Sequence, residues 1–153
     1  MSVVKAFRFP VAVHWRGGRL TLASAPGKGP LEIATPPEFK GGVAGVWSPE
    51  DLLVASAASC FAVTLAAVAE RSGVELETLE VAGLGHVERG SEGRFRFVAI
   101  ELTVEFETET DNPDELERVV RESERLCIVS LALDVPVHVR VVGSAVAAVG
   151  RSE

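Results

Sequence analysis

The chain has 153 residues, 47% hydrophobic and 24% charged, a length that suits one domain with a sizeable core. A formal charge of −7 argues against a general nucleic-acid binder, which needs a cationic face. Two cysteines, 67 residues apart, are too few for a disulfide scaffold and lack zinc-finger spacing.

The first thirteen residues include Lys5, Arg8 and Pro10, so no apolar export signal can be drawn through them. The expectation is a cytoplasmic protein, whose thiols are reduced and open to redox or catalytic use. Residues 6–15 and 19–24 read as a hairpin around Gly17-Gly18, with a short third strand at 31–34. Residues 35–46 hold two prolines and three glycines and form a loop.

A long helix begins with Ser48 as N-cap, Pro49 in the first position, and Glu50 and Asp51 at the positive end of the dipole. It runs uncharged from Leu52 to Ala69 and ends near Ser72-Gly73. That approaches the ~20 residues of a membrane span. The run is rich in alanine and hydroxylic residues and is flanked by strands, so no membrane is expected; it reads as a central helix buried on several faces.

Residues 77–88 and 94–107 are strands. In the second, Arg96, Val98, Ile100, Leu102, Val104 and Phe106 form the expected core face, opposite Phe95, Phe97, Ala99, Glu101, Thr103 and Glu105. Asn112 caps a second helix that starts at Pro113. Leu116, Val119, Val120 and Ser123 point inward, Glu117, Arg118, Arg121, Glu122 and Arg125 point outward, and Leu126-Cys127 stands at its end. Asp134-Val135-Pro136 forces extended chain, and 135–146 is the last strand. One domain, 1–153, is expected.

Cys60 lies among Ala, Val and Phe, the surroundings of a small buried hydrophobe, and the nearest cation along its helix is Arg71, three turns away. By composition it is core filler; a reactive Cys60 would need a cation from elsewhere in the fold. Cys127 shares that reading, although a helix junction is a less usual place for filler, and Ser130 lies three residues on. His14, His86 and His138 complete no metal-ligand spacing with the cysteines, so no metal is expected, and His14 and His138 read as half-buried strand residues. Arg16 and Arg19 flank a turn and are by default solvated; the sharper reading sends Arg19 inward to a thiolate. Glu50 complements the helix dipole, and it also suits a bidentate arginine partner. No Ser-His-Asp arrangement, phosphate loop or dinucleotide fingerprint is found.

Ser48-Pro49-Glu50-Asp51-Leu52-Leu53 followed by Ala57-Ala58-Ser59-Cys60 resembles the helix motif of the osmotically inducible protein C / organic hydroperoxide resistance family. Cys127-Ile128-Val129-Ser130 is similar to that family's second motif, usually Cys-Pro-Val-Ser. Gly17-Gly18-Arg19 resembles its Gly-Gly-Arg turn, and residues 37–42 its glycine-rich approach to the helix. The resemblance spans almost the whole chain. It departs at Ile128, where proline is usual, and at Trp47-Ser48, where the hydroperoxide-resistance branch has Thr-Asn.

The resemblance implies an α+β fold with two antiparallel sheets around long central helices, assembled as an intertwined homodimer. It implies thiol-dependent reduction of organic hydroperoxides in oxidative-stress defence. Cys60 would be the peroxidatic thiol, Cys127 the resolving thiol, Arg19 the activating cation and Glu50 its orienting partner. No bound cofactor is implied; an external dithiol restores the pair. Leu53, Phe61 and Trp47 are candidates for an apolar lining. Glu50 and Cys60 are ten residues apart, ~15 Å along one helix. That separation favours a site in which Arg19 and Glu50 serve the thiol of a partner subunit. The alternative is a non-catalytic relative that binds an apolar ligand or senses oxidants.

Overall fold

The computed structural model describes residues 4–143. The α+β expectation holds, with two sheets and a long helix, and the chain forms two compact units that divide at Leu52/Leu53.

The first unit holds β1 (Ala12–Gly17), β2 (Leu20–Ser24) and β3 (Leu31–Ala34), an antiparallel sheet in that order. The hairpin turns at Gly17-Gly18, where Trp15 Nε1 donates to the Gly18 carbonyl at 3.0 Å. The strand expected from residue 6 starts only at Ala12. Residues 4–11 have no ladder partner among the described residues, and their alternate apolar side chains Phe7, Phe9 and Val11 are exposed. His14, expected to be half-buried, is exposed on β1, an edge strand of its sheet. The loop after β3 returns to it through a parallel bridge between Ile33 and Trp47. Ser48 and Asp51 then start α1 (Pro49–Arg71) with a reciprocal capping box: Asp51 N–H donates to Ser48 Oγ at 3.0 Å, and Ser48 N–H to Asp51 Oδ2 at 2.9 Å.

The second unit contains the rest of α1, the long strands β4 (Leu76–Arg89) and β5 (Phe95–Thr108), α2 (Pro113–Leu126), α3 (Ile128–Ala132) and β6 (Val137–Val142). β4 and β5 pair antiparallel; β6 joins the far side of β5 in parallel. The second sheet is therefore mixed rather than antiparallel throughout. A parallel partner needs a crossover, and α2 with α3 supplies it. Of the last expected strand, residues 144–146 lie outside the described residues. His138 is exposed on the outer face of β6, where alternation with the buried-side Val137, Val139 and Val141 puts it, and is not half-buried.

Ile100, Leu102, Val104 and Phe106 of β5 are all buried, as their alternation requires. The alternation breaks at Val98. Opposite His86 and Val87 the register jumps from Ala99 to Phe97, a bulge that leaves Val98 unpaired. Phe97, expected to face outward, consequently packs against the core.

Helix α1 lays Ala57, Phe61, Leu65, Val68 and Ala69 on this core. It approaches β4 closely because two glycines face it: a Cβ on Gly83 would fall 2.6 Å from Val54 Cγ1, and one on Gly85 2.7 Å from Val54 Cγ2 and Phe97 Cε1. Burial on several faces is not seen in the single chain. One stripe is buried, and Ser59, Val63, Ala66 and Ala67 on the opposite flank are exposed. Asn112 caps α2 through Oδ1, accepting from Asp114 N–H and Glu115 N–H, and Leu116, Val119, Val120 and Ser123 are buried beneath it as their spacing predicts. Extended backbone at Cys127 (φ −67°, ψ 101°) ends α2 and begins α3, a five-residue helix without a sequence signal of its own.

Candidate functional site

The second unit brings the two cysteines together. Cys60 is mid-helix and half-buried; Cys127, at the α2–α3 junction, has no solvent exposure. Neither is in a disulfide, and the Cys127 side chain is close enough to Cys60 to be among the groups that lower its thiol. Two neighbours follow from local geometry. Thr64 is one helical turn beyond Cys60 on the same face, and its side chain is also among the groups that lower the Cys60 thiol. Ser130, three residues past Cys127, donates from Oγ to Cys127 Sγ at 3.2 Å.

Burial pushes the Cys60 thiol up, but hydrogen bonds from the Val129 backbone, Cys127, Thr64 and the Ile128 backbone outweigh it and hold the thiol below the ordinary cysteine value. This revises the expectation that only an imported cation could lower Cys60: neutral donors act within its own unit. The junction matters because turning the chain from α2 into α3 aims two successive backbone N–H groups at the sulfur. A usual family proline at Ile128 would have no N–H to offer.

One helical turn past Cys60, at Thr64, is an open groove of about 720 Å³ lined by Val63, Thr64, Ala67, Glu70, Arg71 and Leu126. Val63, Ala67 and Leu126 give it an aliphatic side, and Glu70 and Arg71 a charged end. Phe61, expected to line a substrate site, is instead 1% exposed and packed in the core, because it falls on the buried stripe of α1. Leu53 packs against the core cluster as well, and Trp47 is exposed in the first unit. The signal that could have found the groove is the i, i+4 spacing of Cys60, Thr64 and neighbouring Val63 and Ala67.

The first unit holds the other two candidates. Arg19 is exposed, its stem lies over Gly41, and its carbonyl accepts from Thr35 N–H at 3.2 Å. Glu50 is half-buried, with Oε2 shielded from solvent and without a hydrogen-bond partner. Among the described residues no ion pair joins Arg19 to Glu50 within the chain. Arg16 is exposed beside the same turn.

The histidines stand apart from the thiols. His86 Nε2 and Glu101 Oε2 are 2.7 Å apart on the outer face of the second sheet, and the His86 contact holds the Glu101 carboxyl below its usual range. Among the described residues no group of three His, Cys, Asp or Glu side chains could hold a metal ion.

Residues 42–142 match the family model described as OsmC-like protein. The uncharacterized protein YmaD of Bacillus subtilis (strain 168) is 28% identical over 130 residues, 82% of this chain and 85% of that protein. The crystal structure of the organic hydroperoxide resistance protein OhrB of Bacillus subtilis is similar with a TM-score of 0.68 and 25% identity, over 89% of this chain and 98% of that one. An OsmC-like protein of unknown function from Vibrio cholerae O1 biovar eltor str. N16961 has a TM-score of 0.82 at 14% identity, over 90% of this chain and 100% of that one, a likeness of fold alone.

Proposed function

The chain belongs to the OsmC-like protein family, and from that premise we propose that it is a thiol-dependent peroxidase acting on organic hydroperoxides in a reducing cytoplasm. The observation that carries this reading is the closeness of the Cys60 and Cys127 side chains, with Cys60 held below the ordinary thiol value. Two adjacent reduced thiols, one half-exposed and one buried, suit a nucleophile and a resolver.

The Cys60 thiolate attacks the distal peroxide oxygen. The O–O bond breaks, the alkoxide takes a proton and leaves as an alcohol, and Cys60 is oxidised to a sulfenic acid. Cys127 then displaces its oxygen as water, forming a disulfide before irreversible oxidation can follow. An external dithiol reduces the disulfide and is itself oxidised. The aliphatic side chains Val63, Ala67 and Leu126 in the groove at Thr64 favour an alkyl or aryl hydroperoxide over hydrogen peroxide.

Arg19 and Glu50 enter as a pair. Glu50 Oε2 is shielded without a partner, and Arg19 has no ion pair among the described residues, so each gains by meeting the other. We assign both to the thiol of a partner subunit in a homodimer. The exposed Phe7, Phe9, Val11, Val13 and Trp15 of the first unit, and the exposed Val63, Ile128 and Leu131 of the second, support such an assembly, since a lone chain would leave these apolar side chains in water.

Consumption of cumene hydroperoxide with excess dithiothreitol tests the reading. Wild type should turn over and Cys60→Ser should fall to the uncatalysed rate. Equal rates would make the cysteine core filler.

A further inference from the structure

Among the described residues, four helical serines have a hydroxyl with a defined hydrogen bond. Ser56, Ser59 and Ser123 each turn it back to a backbone carbonyl three or four residues earlier, the usual habit of a helical serine. Ser130 does not. Its hydroxyl goes to the sulfur of Cys127, while the Cys127 carbonyl is taken by Leu131 N–H at 3.1 Å. Cys127 Sγ in turn caps nothing, because α3 has no side-chain cap. A buried sulfur without access to water thus has one hydroxyl donor aimed at it.

We propose that Ser130 is a further catalytic residue, whose hydroxyl stabilises negative charge on Cys127 Sγ as the disulfide forms and as it is reduced. The inference rests on the two-thiol reading above and deepens it. In the forming step, the Cys127 sulfur bonds to Cys60 sulfur, the S–O bond of the sulfenic acid breaks, and the Cys127 proton leaves with the departing oxygen as water. Charge that builds on a sulfur with 0% exposure cannot be met by solvent, so a fixed donor is the available stabiliser.

The reducing step has a direction. Cys60 is half-buried and Cys127 fully buried, so the thiolate of an external dithiol reaches the Cys60 sulfur. A mixed disulfide forms there, the S–S bond breaks, and its electron pair passes to Cys127 Sγ. The second thiol of the reductant then displaces Cys60 and closes a cyclic disulfide. The Ser130 hydroxyl donates to the sulfur on which that electron pair lands, so it meets the developing charge of the leaving group.

The test separates the steps, using full-length Ser130→Ala and Ser130→Thr, the latter keeping the hydroxyl. One equivalent of cumene hydroperoxide is added to reduced protein. Peroxide loss, appearance of the Cys60–Cys127 disulfide by mass spectrometry, and reduction of the preformed disulfide by dithiothreitol are timed separately. In Ser130→Ala, disulfide formation and reduction should each slow about tenfold, equivalent to ~1.4 kcal/mol, a larger loss than in the peroxide step. Ser130→Thr should restore both, and excess peroxide should build up Cys60 sulfinic acid in the alanine variant alone. Wild-type disulfide kinetics in Ser130→Ala, or equal slowing in Ser130→Thr, would overturn the role of the hydroxyl while leaving the peroxidase reading in place. A wild-type protein that consumes no peroxide would overturn both.

Discussion

Gly41 leaves the space that the stem of Arg19 occupies: a Cβ on Gly41 would lie 3.2 Å from Arg19 Cγ. Gly45, four residues on, has nearly the same backbone (φ 77° against 81°) with nothing within 4 Å of a Cβ. The two glycines therefore separate backbone strain from displacement of the arginine. Gly41→Ala and Gly45→Ala should each lose ~1–2 kcal/mol in urea unfolding, the cost of a side chain in the left-handed region. Only Gly41→Ala should also slow peroxide reduction, toward the rate of Arg19→Ala. Equal activities in the two glycine variants would remove Arg19 from the reaction or show that its stem adjusts freely.

Cys60 should react as a thiolate below the usual thiol range, and Thr64→Val should move it upward by removing one donor. Iodoacetamide alkylation followed against pH is the measurement, and at neutral pH the variant should react several-fold more slowly. The sign for stability follows from the depressed native value. The contribution of this group is complete above the unfolded thiol's pKa and is lost as pH falls through the folded one. Superimposable alkylation profiles would show that Thr64 does not hold the sulfur.

Ile128→Pro restores the residue usual in the resembling motif and deletes an N–H that faces Cys60. The fold should accept it, since Ile128 is the first residue of α3 and Cys127 before it is extended. Unchanged melting with slower alkylation of Cys60 is the expected pair of results. Faster alkylation would mean that the backbone donor is not what lowers the thiol.

Much of this was legible in the sequence, and what was not has physical reasons. Period-two alternation fixed the core side of β5 from Ile100 to Phe106, and capping chemistry at Ser48 and Asn112 marked both long helices. The bulge at Val98 was hidden because an inserted residue there carries no glycine or other local mark, yet it moved Phe97 to the core. The parallel direction of β6 is set by the length of the crossover and leaves no trace in the strand's own residues. The cysteines were readable as a pair only through resemblance, because 67 residues of chain separate them and only folding makes them neighbours. Thr64 was within reach of simple helical spacing.

Packing between α1 and β4 gives a stability prediction. Gly83→Ala should cost roughly 1–3 kcal/mol, because the new methyl meets Val54 Cγ1 at 2.6 Å. Val54→Ala in the same chain should recover part of it, a coupling that chemical denaturation of the double variant would read. Purely additive losses would place the strain elsewhere.

The assembly proposed from the exposed apolar row can be examined by sedimentation. Val63→Asp changes a side chain 67% exposed in the single chain, so the protomer should fold. Sedimentation velocity should report a monomer where the wild type gives a dimer. A dimer of wild-type strength in the variant would take Val63 out of the interface.

The parallel addition of β6 also sets an order of events. Hairpin β4–β5 joins neighbours in sequence and can close early, whereas β6 must wait for the whole crossover to be made and folded back. Cys60 precedes that hairpin and Cys127 rides on the crossover. A nascent chain therefore carries two distant thiols until the crossover folds back, and their meeting belongs to a late stage of folding.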